Sequence, residues 1–166
     1  MRLVKMWEAR VNASEGDEST FARDWFRNRL LEVRAELDLQ FKEFRLSEAL
    51  KTIYSLIWDD FCSWYLEWVK PGFEQPMHQA VYEDTVGFFD ELLQLLHPFM
   101  PFITEEIYHQ LRDRSSDLTN SQFAKVNSAD QDLLNAGARM KEAITAIRDA
   151  RTRNQLKPKD PVQLFI

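Results

Sequence analysis

The sequence predicts an all-α fold, a bundle of five or six helices with the start of a C-terminal strand. Three observations carry this. Apolar residues recur at spacings of three and four through most of the chain, the period of an amphipathic helix. Only four Gly and six Pro occur in 166 residues, too few for an all-β protein rich in turns. The third is a kinked corner, His97-Pro98-Phe99-Met100-Pro101-Phe102. Proline lacks an N–H, clashes with the preceding turn, and pushes the residue before it out of the α region.

Taken in order, a short first helix is expected near residues 2–11. Residues 12–19, rich in Asn, Ser, Gly and Asp, read as a polar loop. A second helix spans about 21–41, capped by Ser19 or Thr20, with Trp25, Phe26, Leu30, Val33, Leu37 and Phe41 inward. A short turn at Phe44–Arg45 leads to a third helix, from about 47 to 69. Its α-helical stripe is Ala49, Leu50, Ile53, Ile57, Phe61, Trp64 and Trp68, widened by Tyr54 and Tyr65. Lys70-Pro71-Gly72 stops it. A fourth helix covers about 77–96, with Val81, Phe88, Leu92 and Leu96 inward. The apolar corner is expected to be buried. A fifth helix restarts at Thr104, whose hydroxyl suits an N-cap, and Glu105 and Glu106 suit the helix dipole. Residues 112–126 read as a polar loop. Ser128 and Gln131 fit a capping box for a sixth helix reaching about Asn154. Residues 162–166 look like the first strand of something absent. The domain reading is a helical domain over 1–154, followed by a truncated strand or linker over 155–166.

Composition narrows the function classes. Apolar residues make up 45 %, with five Trp and twelve Phe, so the chain is globular. No run of 18 apolar residues occurs, and the start has no signal-peptide core. The single cysteine, Cys62, has no internal disulfide partner and reads as a packed, inert thiol; a cytoplasmic location fits. Formal net charge is −6, but residues 139–159 carry a net +5, which leaves −11 for the rest. An acidic body with one basic segment can touch RNA locally and is a poor non-specific phosphate binder.

Chemistry-bearing patterns are sparse. Glu106 and His109 form a Glu-x-x-His pair, half of a di-metal set, so no metal site is expected. No nucleophile–base pair, glycine-rich phosphate loop or zinc-type cysteine cluster stands out, and no catalytic residue is assigned. Five aromatics between Trp58 and Trp68 follow core spacing, yet they exceed one helix face. Some must point outward, where a flat ring can stack on an unpaired base. Arg148 and Arg151, with Arg153 and Lys157, form a basic tail. They are either a solvated helix end, where cations suit the dipole, or phosphate contacts.

Residues 97–106, HPFMPFITEE, closely resemble a signature of the anticodon-binding domain of valyl-tRNA synthetases, class I enzymes for branched aliphatic amino acids. A second segment agrees: Trp58-Asp59-Asp60-Phe61-Cys62-Ser63-Trp64-Tyr65-Leu66-Glu67, then Lys70, resembles that family's W-[DS]-[DE]-F-C-[DS]-W-Y-L-E…K. Order and approximate spacing match, and the resemblance runs from Arg2 to Ile166.

The resemblance implies an anticodon-binding bundle of the kind shared by the valyl, isoleucyl, leucyl and methionyl enzymes. It implies recognition of a valine tRNA through its anticodon loop, in support of ATP-dependent attachment of valine by a longer enzyme. By the same resemblance Arg2, Leu3 and Leu66 meet the anticodon bases, with Leu3 in place of the usual Phe; Leu66, two residues off the inward stripe, is expected to be at least partly exposed, with the first helix beside it. The ATP-binding signatures HIGH and KMSKS are absent, so the chain alone is expected to be inactive and to hold no cofactor, ATP belonging to the parent enzyme. Expected partners are tRNA and the remaining synthetase domains, with no membrane. Two alternatives stay open: the isoleucyl counterpart, and a helical protein-interaction domain with no RNA role.

Overall fold

The computed structural model describes residues 2–12, 20–72, 74–123, 128–157 and 160–161. The polar loop over 13–19 and the C-terminal strand expected over 162–166 lie outside the described residues. The chain divides into two compact units, residues 1–129 and 130–166.

The first unit begins with α1 (Arg2–Glu8), which packs on α5 (Gln79–Leu96). The chain then forms a two-residue strand, β1 (Val11–Asn12), paired in parallel with β2 (Met77–His78). Sequence reading extends the first helix through Val11 and misses this pairing, because two residues carry no detectable alternation. Next comes α2 (Thr20–Lys42), whose predicted stripe is buried apart from the half-buried Phe41. It ends in a Schellman-type turn: Arg45 N–H donates to the Gln40 carbonyl at 2.8 Å, and Phe44 takes φ +57°. That left-handed conformation usually falls to glycine; here an exposed Phe adopts it.

The third helix is the main departure. It starts as α3 (Leu46–Ser55), runs as a π-helix over Leu56–Tyr65, and finishes as α4 (Leu66–Val69). A π-helix closes i→i+5 bonds and turns about 82° per residue, against about 100° in an α-helix. In a continuous α-helix Leu66 would lie about 220° around from Ile53; ten π steps bring it to about 40°. The inward set is accordingly Ala49, Ile53, Leu56, Asp60, Phe61, Tyr65, Leu66 and Val69. The α-helical stripe is corrected: Leu50 is exposed, and Ile57, Trp64 and Trp68 sit on the flanks. Leu66 is only 9 % exposed, so its expected exposure is corrected too.

α2, this rod and α5 (Gln79–Leu96) enclose an aromatic centre. The Phe26 ring lies 5.2 Å from Phe61, 5.0 Å from Tyr65 and 5.1 Å from Phe88. Thr85 donates to the Val81 carbonyl at 2.7 Å, so Tyr65 donates its hydroxyl to Thr85 at 2.8 Å. Burial raises the Tyr65 phenol well above the ordinary tyrosine range. Asp60, buried within the π segment, is held by Arg29 Nε at 2.8 Å. An uncompensated carboxylate there would be costly.

α5 starts at a His78 cap, whose Nδ1 accepts from Ala80 N–H at 3.2 Å. After the corner the chain re-enters a helix at Pro101, so α6 is Pro101–Leu111 and Thr104 is not its cap. Pro fits a first turn because its missing N–H has no partner there anyway. Thr104 is instead fully buried: its hydroxyl donates to the Met100 carbonyl at 2.9 Å, and His97 Nδ1 lies 2.8 Å from it. With the threonine proton so committed, His97 Nδ1 is the donor. The corner itself is open to solvent, against expectation. Met100 and Ile103 are exposed, and Phe102 presents 90 % of its surface. The loop that follows is not featureless: a 3-10 turn (Leu118–Asn120) inserts a buried Leu118 beside Leu93 and Tyr108.

In the second unit, α7 (Gln131–Arg153) is capped by Asp130, whose Oδ1 accepts from Leu133 N–H at 3.1 Å. Asp130 thus replaces the Ser128–Gln131 box as the helix start.

Candidate nucleic-acid interface

An RNA-binding surface needs uncommitted cations and ring faces open to solvent. In the first unit most arginines are committed elsewhere. Arg27 and Arg23 share Asp84, at 3.0 Å and 3.5 Å. Arg29 meets Asp60, Arg34 meets Glu91 at 3.4 Å, and Arg112 meets Glu83 at 2.6 Å. Arg114 pairs with Asp90 and lies over the Tyr108 ring, 4.3 Å from its centroid. Burial raises the Asp90 and Glu91 carboxyls above their ordinary range, against the pull of the neighbouring arginines. These pairs tie α2, α5 and α6 together and leave little net positive field.

Arg2 is exposed at the first turn of α1, and Leu3 beside it is half-buried. Leu66 opens α4 and faces the core, because the π segment has rotated it there. In the second unit Arg148 and Arg151 are three residues apart on α7, one helix face. Arg151 donates to the Lys157 and Asp160 carbonyls at 2.6 and 2.8 Å, so it ties down the chain after the helix end. Arg148 is exposed.

The rod's outward face carries Tyr54 and Trp58, 62 % and 59 % exposed. Their rings are nearly parallel, 11° apart with centroids at 6.4 Å. Sequence reading singles out the aromatic helix but not these two rings, and it sets Tyr54 beside the inward stripe, where the structure leaves it exposed. Cys62, one turn on, is exposed and not packed as expected. Partial burial of its thiol still raises its pKa, the opposite of what a nucleophile needs.

A polar cluster sits on α6. His109 Nε2 lies 3.2 Å from Glu105 and 3.0 Å from Asp117. The Glu105 carboxylate also accepts from Leu118 and Thr119 N–H at 2.6 and 3.2 Å. Among the described residues these three alone bring potential metal-ligand atoms within 4.8 Å of one another. The backbone contacts of Glu105 give the cluster a job, anchoring the 3-10 turn to α6. Glu106, the carboxylate of the Glu-x-x-His pair, instead accepts from Gln110. An open cavity of about 350 Å³ alongside is lined by Glu105, Glu106, His97 and Phe102, an acidic wall that suits no phosphate. Among the described residues no helix is long and apolar enough to cross a membrane.

Comparison with known proteins places this geometry. Residues 23–166 match the family described as the anticodon-binding domain of tRNA ligases. The chain is 48 % identical over 165 residues to a valine–tRNA ligase of Porphyromonas gingivalis, covering 98 % of the chain and 19 % of that protein. It is 43 % identical to that of Parabacteroides distasonis, covering 99 % and 19 %. With that of Enterococcus faecalis identity is 34 %, covering 90 % of the chain and 18 % of the relative. The chain thus spans about a fifth of the length of these curated relatives. A helical bundle matched over this much of its length leaves one assignment: the chain belongs to the family of anticodon-binding domains of tRNA ligases.

Proposed function

We propose that this chain recognises the anticodon loop of a valine tRNA. In this reading it does so as one part of a longer, cytoplasmic valine–tRNA ligase, whose other domains carry out ATP-dependent attachment of valine. The domain needs no cofactor, and ATP serves the catalytic part. Family membership over residues 23–166, together with relatives that are valine–tRNA ligases, is the observation that carries the reading. Single-stranded loop bases are recognised by stacking and edge contacts and not by a broad basic field, which fits an acidic domain with arginines at selected points. Arg2 offers donors to a base edge or phosphate, and Leu3 offers apolar contact. Exposed Arg148 is the phosphate contact on α7, and Arg151, three residues on, holds the chain after the helix end through the Lys157 and Asp160 carbonyls.

The test is a titration of the chain with a stem-loop RNA carrying the valine anticodon, and with one whose anticodon bases are replaced. At low salt the matched loop is expected to bind more tightly by ~1–3 kcal/mol, the value of one well-stacked base. Equal affinity for the two RNAs would remove the anticodon-reading role.

A further inference from the structure

The cluster of Glu105, His109 and Asp117 carries chemistry that the RNA reading does not use. Glu105 and His109 are four residues apart on α6, so they share one face of the helix. Asp117 comes from the loop beyond it, just before the 3-10 turn at Leu118–Asn120. The pair that the sequence suggests, Glu106 and His109, does not meet: Glu106 accepts from Gln110, and His109 faces Glu105 and Asp117.

Three features of the cluster suit a metal ion. Its lone pairs converge: His109 Nε2 lies 3.2 Å from Glu105 Oε1 and 3.0 Å from Asp117 Oδ1, and the three atoms lie within 4.8 Å of one another. Ligands about 2.0–2.1 Å from a tetrahedral zinc ion stand about 3.3 Å apart, close to these separations. One imidazole proton aligns well with only one of the two carboxylate oxygens, whereas a central ion meets all three groups. The negative charge is also unmatched. Among the described residues no lysine or arginine pairs with Glu105, Glu106 or Asp117, and Arg112 and Arg114, between His109 and Asp117 in the chain, are taken by Glu83 and Asp90. Finally, Glu105 is held in place from outside. Its Oε1 accepts from Leu118 N–H at 2.6 Å and its Oε2 from Thr119 N–H at 3.2 Å, contacts of the kind that orient metal-bound carboxylates. The cavity of about 350 Å³ beside the cluster leaves room for water at a fourth coordination position.

We infer that Glu105 Oε1, His109 Nε2 and Asp117 Oδ1 form a binding site for a zinc ion. An imidazole nitrogen with two carboxylates selects zinc over calcium and magnesium, which take oxygen ligands. Bound there, the ion clasps the loop after α6 to the helix, next to the buried Leu118. Its role is structural, and the inference stands apart from the RNA reading.

The test titrates Zn²⁺ into the 166-residue chain by calorimetry. It is done in a Cys62→Ser background, because the exposed thiol is itself a zinc ligand. One ion per chain is expected, at micromolar or tighter affinity. The melting temperature should rise with Zn²⁺ and fall back on chelation, since an ion that binds only the folded chain stabilises it. Co²⁺ in its place should give the visible absorption of a tetrahedral site. His109→Gln and Asp117→Asn should each weaken binding by more than about 10-fold, the least that losing even an outer-shell partner costs. Glu106→Gln removes a charge from the same cavity but no proposed ligand, so it should bind zinc as the parent does. Absence of zinc binding, or undiminished binding by His109→Gln and Asp117→Asn, overturns the site. The cluster would then be an ion pair between protonated His109 and its two carboxylates. An equal loss in Glu106→Gln overturns it as well, by showing general attraction to an acidic wall. Both ligand side chains are exposed, so the variants should fold; if one does not, the other decides the matter.

Discussion

Phe102 presents 90 % of its surface to solvent, so truncating it removes little burial. Phe102→Ala is expected to change stability by no more than about 0.5 kcal/mol. Leu66 is the converse. At 9 % exposure it should cost ~2–5 kcal/mol as Leu66→Ala, through lost transfer energy and the cavity left behind. Denaturant unfolding of both variants checks the pair; a Leu66→Ala chain as stable as its parent would mean that Leu66 does not face the core. The same measurement bears on RNA work, since weaker binding by a Leu66 variant has to be separated from partial unfolding. Thr104 makes the related point for polar groups. Its hydroxyl satisfies the Met100 carbonyl and meets His97, so the side chain fastens the two sides of the proline corner where a cap would have fastened only one.

The π segment is the element on which placement of the site turns. It takes up about 180° of rotation relative to ten α-helical residues, equivalent to about two α residues. Removing both Cys62 and Ser63, two exposed positions, would let the rod run as an α-helix with Leu66 about 20° from Ile53. Removing Cys62 alone would leave Leu66 about 120° away, carrying Tyr65 and Val69 out of phase as well. The double deletion is therefore expected to melt at a higher temperature than the single one, an ordering that thermal circular dichroism can read. The reverse ordering would show that the π geometry does not set the register of α4. Ser63 adds a local support, donating its hydroxyl to the Trp58 carbonyl five residues back at 2.8 Å. π segments recur at functional sites, and here the consequence is concrete: the added rotation buries Leu66, while Trp58, about 140° from Ile53 even in a continuous α-helix, points outward with or without it.

For the whole molecule, charge and missing motifs set the expectations. A net charge of −6 opposes RNA at long range, so affinity should rest on a few local contacts and fall with salt only gently. Replacing Arg148 by Ala should lower the slope of log affinity against log salt by about one if it meets phosphate. An unchanged slope would return it to the role of a solvated helix end. The sequence contains neither HIGH nor KMSKS, so the purified chain is expected to show no valine-dependent ATP–pyrophosphate exchange. Exchange above background would mean that the chain carries an ATP site its motifs do not reveal.

Helix positions, the all-α class and the family resemblance were legible in the sequence because each rests on local information. Apolar period, proline and glycine stops, and two long motif segments all lie along the chain. The stripe of α2 is an example, inward as its spacing requires. The phase of the third helix was not legible, because α and π turns place the same residues about 18° apart per step and only packing against α2 and α5 selects between them. Leu66 inward and the exposed corner at Phe102 both depend on that level. So does the β1–β2 pairing, whose partners are 66 residues apart. The sequence determined which helix to examine for RNA contact; tertiary packing decided which of its side chains are available to make it.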